Sequence, residues 1–499
     1  MLAEQGTTRS AHRIALGLIA VIAIGAVVGV VVGTQAYGIG MTPDSIAYIK
    51  AARAMLHLQP LPALFSHWPP GYPTLLAAAS WLTHGDPRHL AAFYNGLCVA
   101  LSVVFSAVLI FRQRVGLVWT VLGAAAVAAC DTLYACSTMA WSEPTLIVLM
   151  LLSFVSLQRA ADRGRGFVLA GLLAGLCFLT RYIGFAVAAT GVLMLLVNNP
   201  RSSYARLRAA LIYGLAASVP AVLWLVYNWS TQHNLTGTRE ASDTSLLQAS
   251  KLAAAGLLRR SELQLALPLA VVGLILGRSR SGSAIDTRVV WVLWTFAVIY
   301  LLALCVLASL IRFDTIDDRL LLPAVVALLV GSFAGIAGLC QRLGERAGAW
   351  ATTALGLVIG AVLIGRSLAV ETDFARVAMV YGTGGYSQQY WHEDPVLRTL
   401  SKLRPDMPIE SNAPDVIYGV LDWPADATPR HDPHVEPDLQ RLATQWPRHP
   451  RTLVVWFKQV NPDDVPIETL SQLADHREVE RSDDVSLYIF TAQGSPPAP

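Results

Sequence analysis

Two carboxylates and a few arginines stand out, because each is placed in an otherwise apolar chain. Asp44 lies in Thr42-Pro43-Asp44-Ser45-Ile46-Ala47-Tyr48-Ile49. Pro43 suits the start of a helix, which leaves Asp44 in the first turn at the positive end of the helix dipole. Tyr48 follows one turn later on the same face. A carboxylate so placed is either a helix cap or a general base that takes a proton from a hydroxyl. Glu143, in Trp141-Ser142-Glu143-Pro144, opens an apolar segment. A carboxylate near the membrane is costly, so it is either an ion-paired end residue or a partner of Asp44 that contacts an acceptor. Arg181, in Leu179-Thr180-Arg181-Tyr182-Ile183-Gly184, sits between two apolar segments. A guanidinium there binds a phosphate through two parallel hydrogen bonds, or pairs structurally with Glu143 or Asp131. Arg319 follows Asp317-Asp318 and either pairs with them or binds the same anion; Arg239 and Arg312 are further phosphate candidates.

Around Asp44 the residues suggest a roofed site. His67-Trp68-Pro69-Pro70-Gly71-Tyr72-Pro73 holds consecutive prolines, which bar a helix and keep a stiff turn. The apolar stretch that follows, Leu75 to Leu82, is too short to span a bilayer and is expected to lie in the interface. Tyr48, His67, Trp68, Tyr72 and Tyr182 are the expected substrate-pocket residues.

The elements that must position these groups are membrane helices. Of the 499 residues, 54% are hydrophobic and 14% charged, against about 25% charged in an ordinary soluble domain. Apolar segments fall at roughly 14–36, 89–111, 116–133, 143–158, 167–180, 183–198, 209–229, 264–278, 289–311, 320–340 and 349–370, about eleven candidate spans. Arginines precede the first segment and follow every even-numbered one: Arg9 and Arg13, then Arg112, Arg163, Arg206, Arg288 and Arg342 among others. The positive-inside rule makes those loops and the N-terminus cytoplasmic. An odd span count then places the tail outside. The loop after the seventh segment dissents in part, with Arg239, Lys251, Arg259 and Arg260 on the external side.

The fold class expected is therefore an all-α polytopic membrane protein with a small C-terminal extracytoplasmic α/β domain. Residues 1–370 form the membrane domain, whose first external loop, 37–88, carries the site; 371–499 form the soluble domain. In the tail, Leu453 to Phe457 and Leu487 to Phe490 read as strands, Asp394 to Lys402 and Pro466 to Ala474 as helices, and Gly494 to Pro499 as disordered. The six cysteines all lie in the membrane half, as small apolar fillers.

Asp-Ser-x-x-Tyr followed about 20 residues later by Trp-Pro-Pro-Gly-Tyr-Pro resembles the first external loop of bacterial GT-C glycosyltransferases. The relatives meant are the dolichyl-phosphate-mannose protein mannosyltransferases and the lipid A aminoarabinose transferases. The segments around Glu143, Arg181, Asn228 to Arg239, Asp317 to Pro323, and Ser411-Asn412-Ala413-Pro414-Asp415-Val416-Ile417-Tyr418 agree in order. The resemblance implies a GT-C-like membrane enzyme that uses a polyprenyl-phosphate sugar as donor. It makes an external aspartate, here Asp44, the base, with inversion at the anomeric carbon. The chemistry accords with the residue types. A lipid phosphate is already a good leaving group, so one carboxylate suffices where glycosidases use two.

Other classes are disfavoured. No basic stripe marks a nucleic-acid partner. No Gly-rich loop follows a strand, as a nucleotide-binding domain would need. His431 and His434 fall short of a metal-ligand set. No cofactor is indicated, and a divalent metal is left without support. The expected partners are membrane lipids, the lipid-linked donor, and a glycan, lipid or protein acceptor. The expected location is a bacterial inner membrane. The rival reading is a transporter or flippase for a lipid-linked glycan; such a protein needs related halves with polar breaks at mid-membrane, whereas the polar residues here cluster at external ends.

Overall fold

The computed structural model describes residues 2–61, 65–197, 202–276, 286–312, 315–347, 349–403, 407–431, 438–459 and 461–492. The chain divides into two compact units, 1–34 with 47–377, and 35–46 with 378–499. The stretch Gly494 to Pro499, expected to be disordered, and His434 lie outside the described residues.

The first unit is helical because its sequence is a succession of apolar runs closed by capping and breaking residues. A long helix α1 (Leu2–Gly33) is followed by α2 (Pro43–Leu56), with Asp44 in its first turn, and α3 (Gly71–Thr83). Then come α4 (Pro87–Arg112), α5 (Leu117–Ala128) and the short α6 (Asp131–Ser137). Next are α7 (Glu143–Arg163), α8 (Phe167–Thr180), α9 (Phe185–Val197) and α10 (Ser203–Gln232). The series continues with α11 (Leu246–Arg259), α12 (Ser261–Leu276), α13 (Arg288–Leu310), α14 (Asp318–Ala347) and α15 (Ala349–Tyr381). Among the described residues, seven helices are long and apolar enough to cross a bilayer, or eight if the bent pair α5 and α6 makes one span. Three further apolar stretches, Phe167–Thr180, Tyr182–Val197 and Glu262–Ile275, are shorter than a crossing requires. They are among the segments that raise the sequence count to about eleven. The protein is a multi-pass membrane protein.

In α14, 94% of the apolar window is buried, against 22% in α1 and in α15, so α14 is the central helix and the other two face lipid. It packs against α12 and α13, and α8 packs against α10. The compositional change near Val370 lies inside α15, which continues without a break to Tyr381.

The expected stiff turn at Trp68 to Pro73 is shorter than the prolines suggest. Pro70 is the N-cap of α3 and Pro73 lies in its first turn. Proline is tolerated there because first-turn N–H groups have no intrahelical acceptor to lose. Gly71 is required at that start: a Cβ on it would come within 2.6 Å of the Leu179 carbonyl oxygen at the end of α8.

The second unit carries a five-stranded sheet in the order β2-β1-β3-β5-β4. Its strands are β1 (Ile409–Ser411), β2 (Asp426–Ala427), β3 (Arg451–Phe457), β4 (Asp475–Arg481) and β5 (Val485–Thr491). β1 pairs in parallel with β2 and β3, whereas β5 pairs antiparallel with β3 and β4. Helices Pro395–Leu403 and Pro414–Leu421 contribute to one core cluster, with Ile409, Leu453 and Val455. Leu442, Trp446 and Leu470 join Val454, Trp456 and Phe490 in another. Successive strand residues face opposite sides, so β3 feeds both clusters. Residues 35–46 are laced into this unit: Tyr386 N–H donates to the Met41 carbonyl at 2.8 Å and the Ser387 hydroxyl to that of Ile39 at 2.7 Å. Gly385 (φ 56°) is the other position where glycine is needed, because a Cβ would lie 2.0 Å from the Met41 oxygen.

Candidate active site

Glu143 is the first residue of α7 and is 1% exposed. Its Oε1 accepts hydrogen bonds from Arg181 Nη1 and Arg319 Nε, residues far apart in the sequence. Its Oε2 is buried with no hydrogen-bond partner. Arg181 is placed by the end of α8, where its backbone turns extended before a single 3₁₀ turn at Tyr182–Gly184. Arg319 lies in the first turn of α14, with its guanidinium 4.1 Å from the centre of the Trp141 ring. Asp317 accepts the Leu320 N–H at 3.0 Å, and Asp318 accepts from Arg260. Asp317 thus caps the start of α14, and Asp318 reaches another element. Two guanidiniums share one oxygen of a buried carboxylate. Such a cluster can take up an anion.

Tyr48 joins this group from α2, its hydroxyl lying 3.3 Å from Ser142 Oγ, and Ser142 is also 3.5 Å from Arg181 Nη1. Tyr48, Tyr72 and Tyr94 stack edge to face in series, with centroids 5.2 and 5.8 Å apart. Tyr48 and Tyr72 are buried, so they act as packing between α2, α3 and α4. The last turn of α2 is clamped by Arg53, whose Nε and Nη2 each donate to Asp86 at 2.9 Å. Asp86 also caps α4 by accepting the Arg88 N–H at 2.8 Å. Burial opposes the charge of Asp86, but the Arg53 and Arg88 hydrogen bonds outweigh it and hold the carboxyl below its ordinary value.

A second group forms around the aromatic turn. The Tyr182 hydroxyl donates to the Ser66 carbonyl and accepts from Trp224 Nε1 at 3.1 Å. His67 Nε2 is 2.9 Å from the Thr238 carbonyl, and Arg239 Nη2 donates to the His67 carbonyl at 2.8 Å. His67, Trp68, Tyr182 and Arg239 are therefore one neighbourhood; the structure gives Arg239 this backbone contact and pairs Arg312 with Glu240 at 3.2 Å.

Asp44 is half-buried in the first turn of α2. The cap of that helix is Thr42, whose Oγ1 accepts the Ser45 N–H at 3.4 Å.

Sequence reading missed the set formed by Cys130, Asp131 and Glu262, whose ligand atoms lie within 4.8 Å of one another. Cys130 and Asp131 are adjacent, but Glu262 lies 132 positions from Cys130, so no motif announces the set. Arg260 Nη1 lies 3.5 Å from Asp131 and brings a fixed positive charge to this set.

No protein-family model matches the chain, and no curated protein matches it in sequence. Solved structures do match its fold. ArnT from Cupriavidus metallidurans bound to undecaprenyl phosphate is 16% identical, with a TM-score of 0.63 over 97% of this chain and 99% of that one. The apo form of the same protein is 17% identical, with a TM-score of 0.59 over 99% and 100%. The chain has the GT-C fold. The likeness extends to the arabinofuranosyltransferase AftD from Mycobacteria, 13% identical with a TM-score of 0.52, which covers 95% of this chain and 40% of AftD. What is shared at these identities is the course of the chain, and the GT-C fold accounts for both the helical membrane unit and the small sheet that follows it.

Proposed function

We propose that this chain is a membrane glycosyltransferase that moves a sugar from a polyprenyl-phosphate donor to an extracytoplasmic acceptor, a cell-envelope glycan, lipid or protein. The observation that carries the reading is the pair Arg181 and Arg319 held on one buried oxygen of Glu143. This is a pre-organised cationic site for a phosphate, at the mouths of apolar helices where a lipid-linked anion would arrive. The complex of ArnT with undecaprenyl phosphate supports the donor class.

Each residue then has one task. Arg181 and Arg319 bind the donor phosphate and stabilise the charge it gains as it leaves. Glu143 fixes the two guanidiniums. Asp44 takes the proton of the acceptor hydroxyl as that oxygen attacks the anomeric carbon from the face opposite the phosphate. The bond from that carbon to the phosphate oxygen breaks, its electron pair leaves with the lipid phosphate, and the configuration inverts. Asp44 then gives its proton to water. Arg239 and the His67–Trp68 turn shape the neighbouring substrate pocket with Tyr182.

The basic loops keep the N-terminus cytoplasmic in this reading, and an odd number of crossings then places the sheet unit outside a bacterial inner membrane. A phosphatase fused to the C-terminus is expected to be active, and an inactive fusion with a fluorescent cytoplasmic reporter reverses the assignment. The function is tested by mass spectrometry of cell-envelope glycans, lipids and proteins from cells with the intact gene and with an Asp44→Asn copy. A sugar present only with the intact gene is expected; identical spectra reject the reading.

A further inference from the structure

Away from Glu143, the turn between α7 and α8 and the start of α10 enclose a cleft of about 500 Å³. The turn is Gly164-Arg165-Gly166, with both glycines left-handed (φ 72° and 92°). This holds Arg165 as the one long side chain of the bend. From α10, Tyr204, Arg208 and Ile212 line the cleft at successive turns of one helix face. Phe167 and Ala209 are buried in its floor.

The charges are one-sided. No carboxylate lines the cleft. Asp162, the acid nearest in sequence to the turn, is taken by Arg112 and, at 3.4 Å, by Arg288. Arg206 is likewise occupied, donating to the Leu196 carbonyl at 3.2 Å. Arg165 and Arg208 are exposed and have no ion-pair partner among the described residues. Both stand at the ends of candidate spans, α7 and α10, where hydrocarbon gives way to headgroups. Tyr204, 77% exposed, presents an amphipathic ring at the same level.

We propose that this cleft is a binding site for the headgroup of an anionic phospholipid. The phosphate would lie between the Arg165 and Arg208 guanidiniums, near the first turn of α10, where the helix dipole adds positive potential. The glycerol and upper acyl carbons would cover Phe167, Ala209 and Ile212. Two features distinguish it from a site for free phosphate: the apolar floor, and its place at the end of two spans. The site is separate from the donor site, and the proposal stands whether or not the chain transfers a sugar.

The test is native mass spectrometry of the delipidated full-length protein, titrated with phosphatidylglycerol or with phosphatidylcholine of the same acyl chains. The parent is expected to bind its first phosphatidylglycerol about ten- to thirty-fold more tightly than phosphatidylcholine, the effect of two basic residues at an anionic surface. Arg165→Ala with Arg208→Ala removes that preference, and the double Lys variant restores part of it. Thermal unfolding in plain detergent is expected to be the same for all three, which shows that folding is intact. An Ala variant that keeps the preference overturns the proposal. So does glycerol 3-phosphate that displaces the lipid at equal concentration, since the site would then read phosphate alone.

Discussion

The membrane unit and the sheet unit each bury a glutamate, and they hold it in opposite ways. Glu143 takes two guanidiniums onto one oxygen. Glu410, in the middle of β1, is 0% exposed, has no hydrogen-bond partner on either oxygen, and lies 4.0 Å from Arg448 Nε. Its neighbour in register on β2 is Asp426, a like charge. Burial pushes its carboxyl up to about 7, with Arg448 pulling it down and Asp426 adding to the rise. A buried acid must be paired or neutral. The sheet unit raises the value of its glutamate, which is neutral below pH 7. The membrane unit pairs its glutamate with two guanidiniums. The proposed function takes that pair of guanidiniums as the site for an anion.

The comparison can be broken at several points. The largest effect is expected at Asp44, where Asp44→Asn removes the proton acceptor and nearly preserves shape. Transfer should fall by about 10²–10⁴-fold, the usual range for general base catalysis, with protein level and donor binding retained. Activity within a few-fold of the parent would leave Asp44 outside the chemistry. The two glutamates give a direct contrast in stability. Glu143→Gln leaves two buried guanidiniums without their counter-ion and should cost about 3–5 kcal/mol, seen as a lowered melting temperature in detergent. Glu410→Gln, measured near pH 5, should cost little, because the native side chain is already neutral there.

Glu410 also makes a pH prediction with a definite sign. Its folded value, about 7, lies above the unfolded value of 4.5, so the folded unit holds the extra proton between them. Its contribution is present below the unfolded value and is lost as pH rises through the folded one. From pH 5 to pH 8 the sheet should lose about 2–3 kcal/mol of protection. Hydrogen exchange of the β1 and β3 amides in the full-length protein, corrected for intrinsic rate, measures this. Glu410→Gln should flatten the dependence; an unchanged slope would assign it to another group.

How far the chain could be read in advance follows the range of each signal. Apolar runs and arginine-rich exits are local, so the membrane helices and strands β3 and β5 were legible. Strand β4, Asp-His-Arg-Glu-Val-Glu-Arg, was not, because it is an edge strand kept almost wholly polar. Such charge on an edge guards against pairing with another chain and hides the usual alternation. The proposed site residues Asp44, Glu143, Arg181 and Arg319 were each visible as isolated charges. Their grouping was not: Glu143 meets Arg181 from 38 positions away and Arg319 from 176. The lacing of residues 35–46 into the sheet unit rests on hydrogen bonds to the backbone carbonyls of Ile39 and Met41, which carry no sequence signature.

The central claim is that the two guanidiniums held on Glu143 bind a lipid-linked phosphate. Binding of a short-chain polyprenyl-phosphate sugar to the purified protein in detergent tests it most directly, with Arg181→Lys and Arg181→Ala beside the parent. Lysine keeps the charge and loses the two-pronged geometry; alanine loses both. A charge-assisted contact contributes about 1.5–3 kcal/mol. The account therefore predicts a graded loss, with some binding left in the Lys variant and an affinity about ten- to a hundred-fold weaker in the Ala variant. Parental affinity in the Ala variant, together with a lowered melting temperature, would make Arg181 a structural partner of Glu143 and contradict the account.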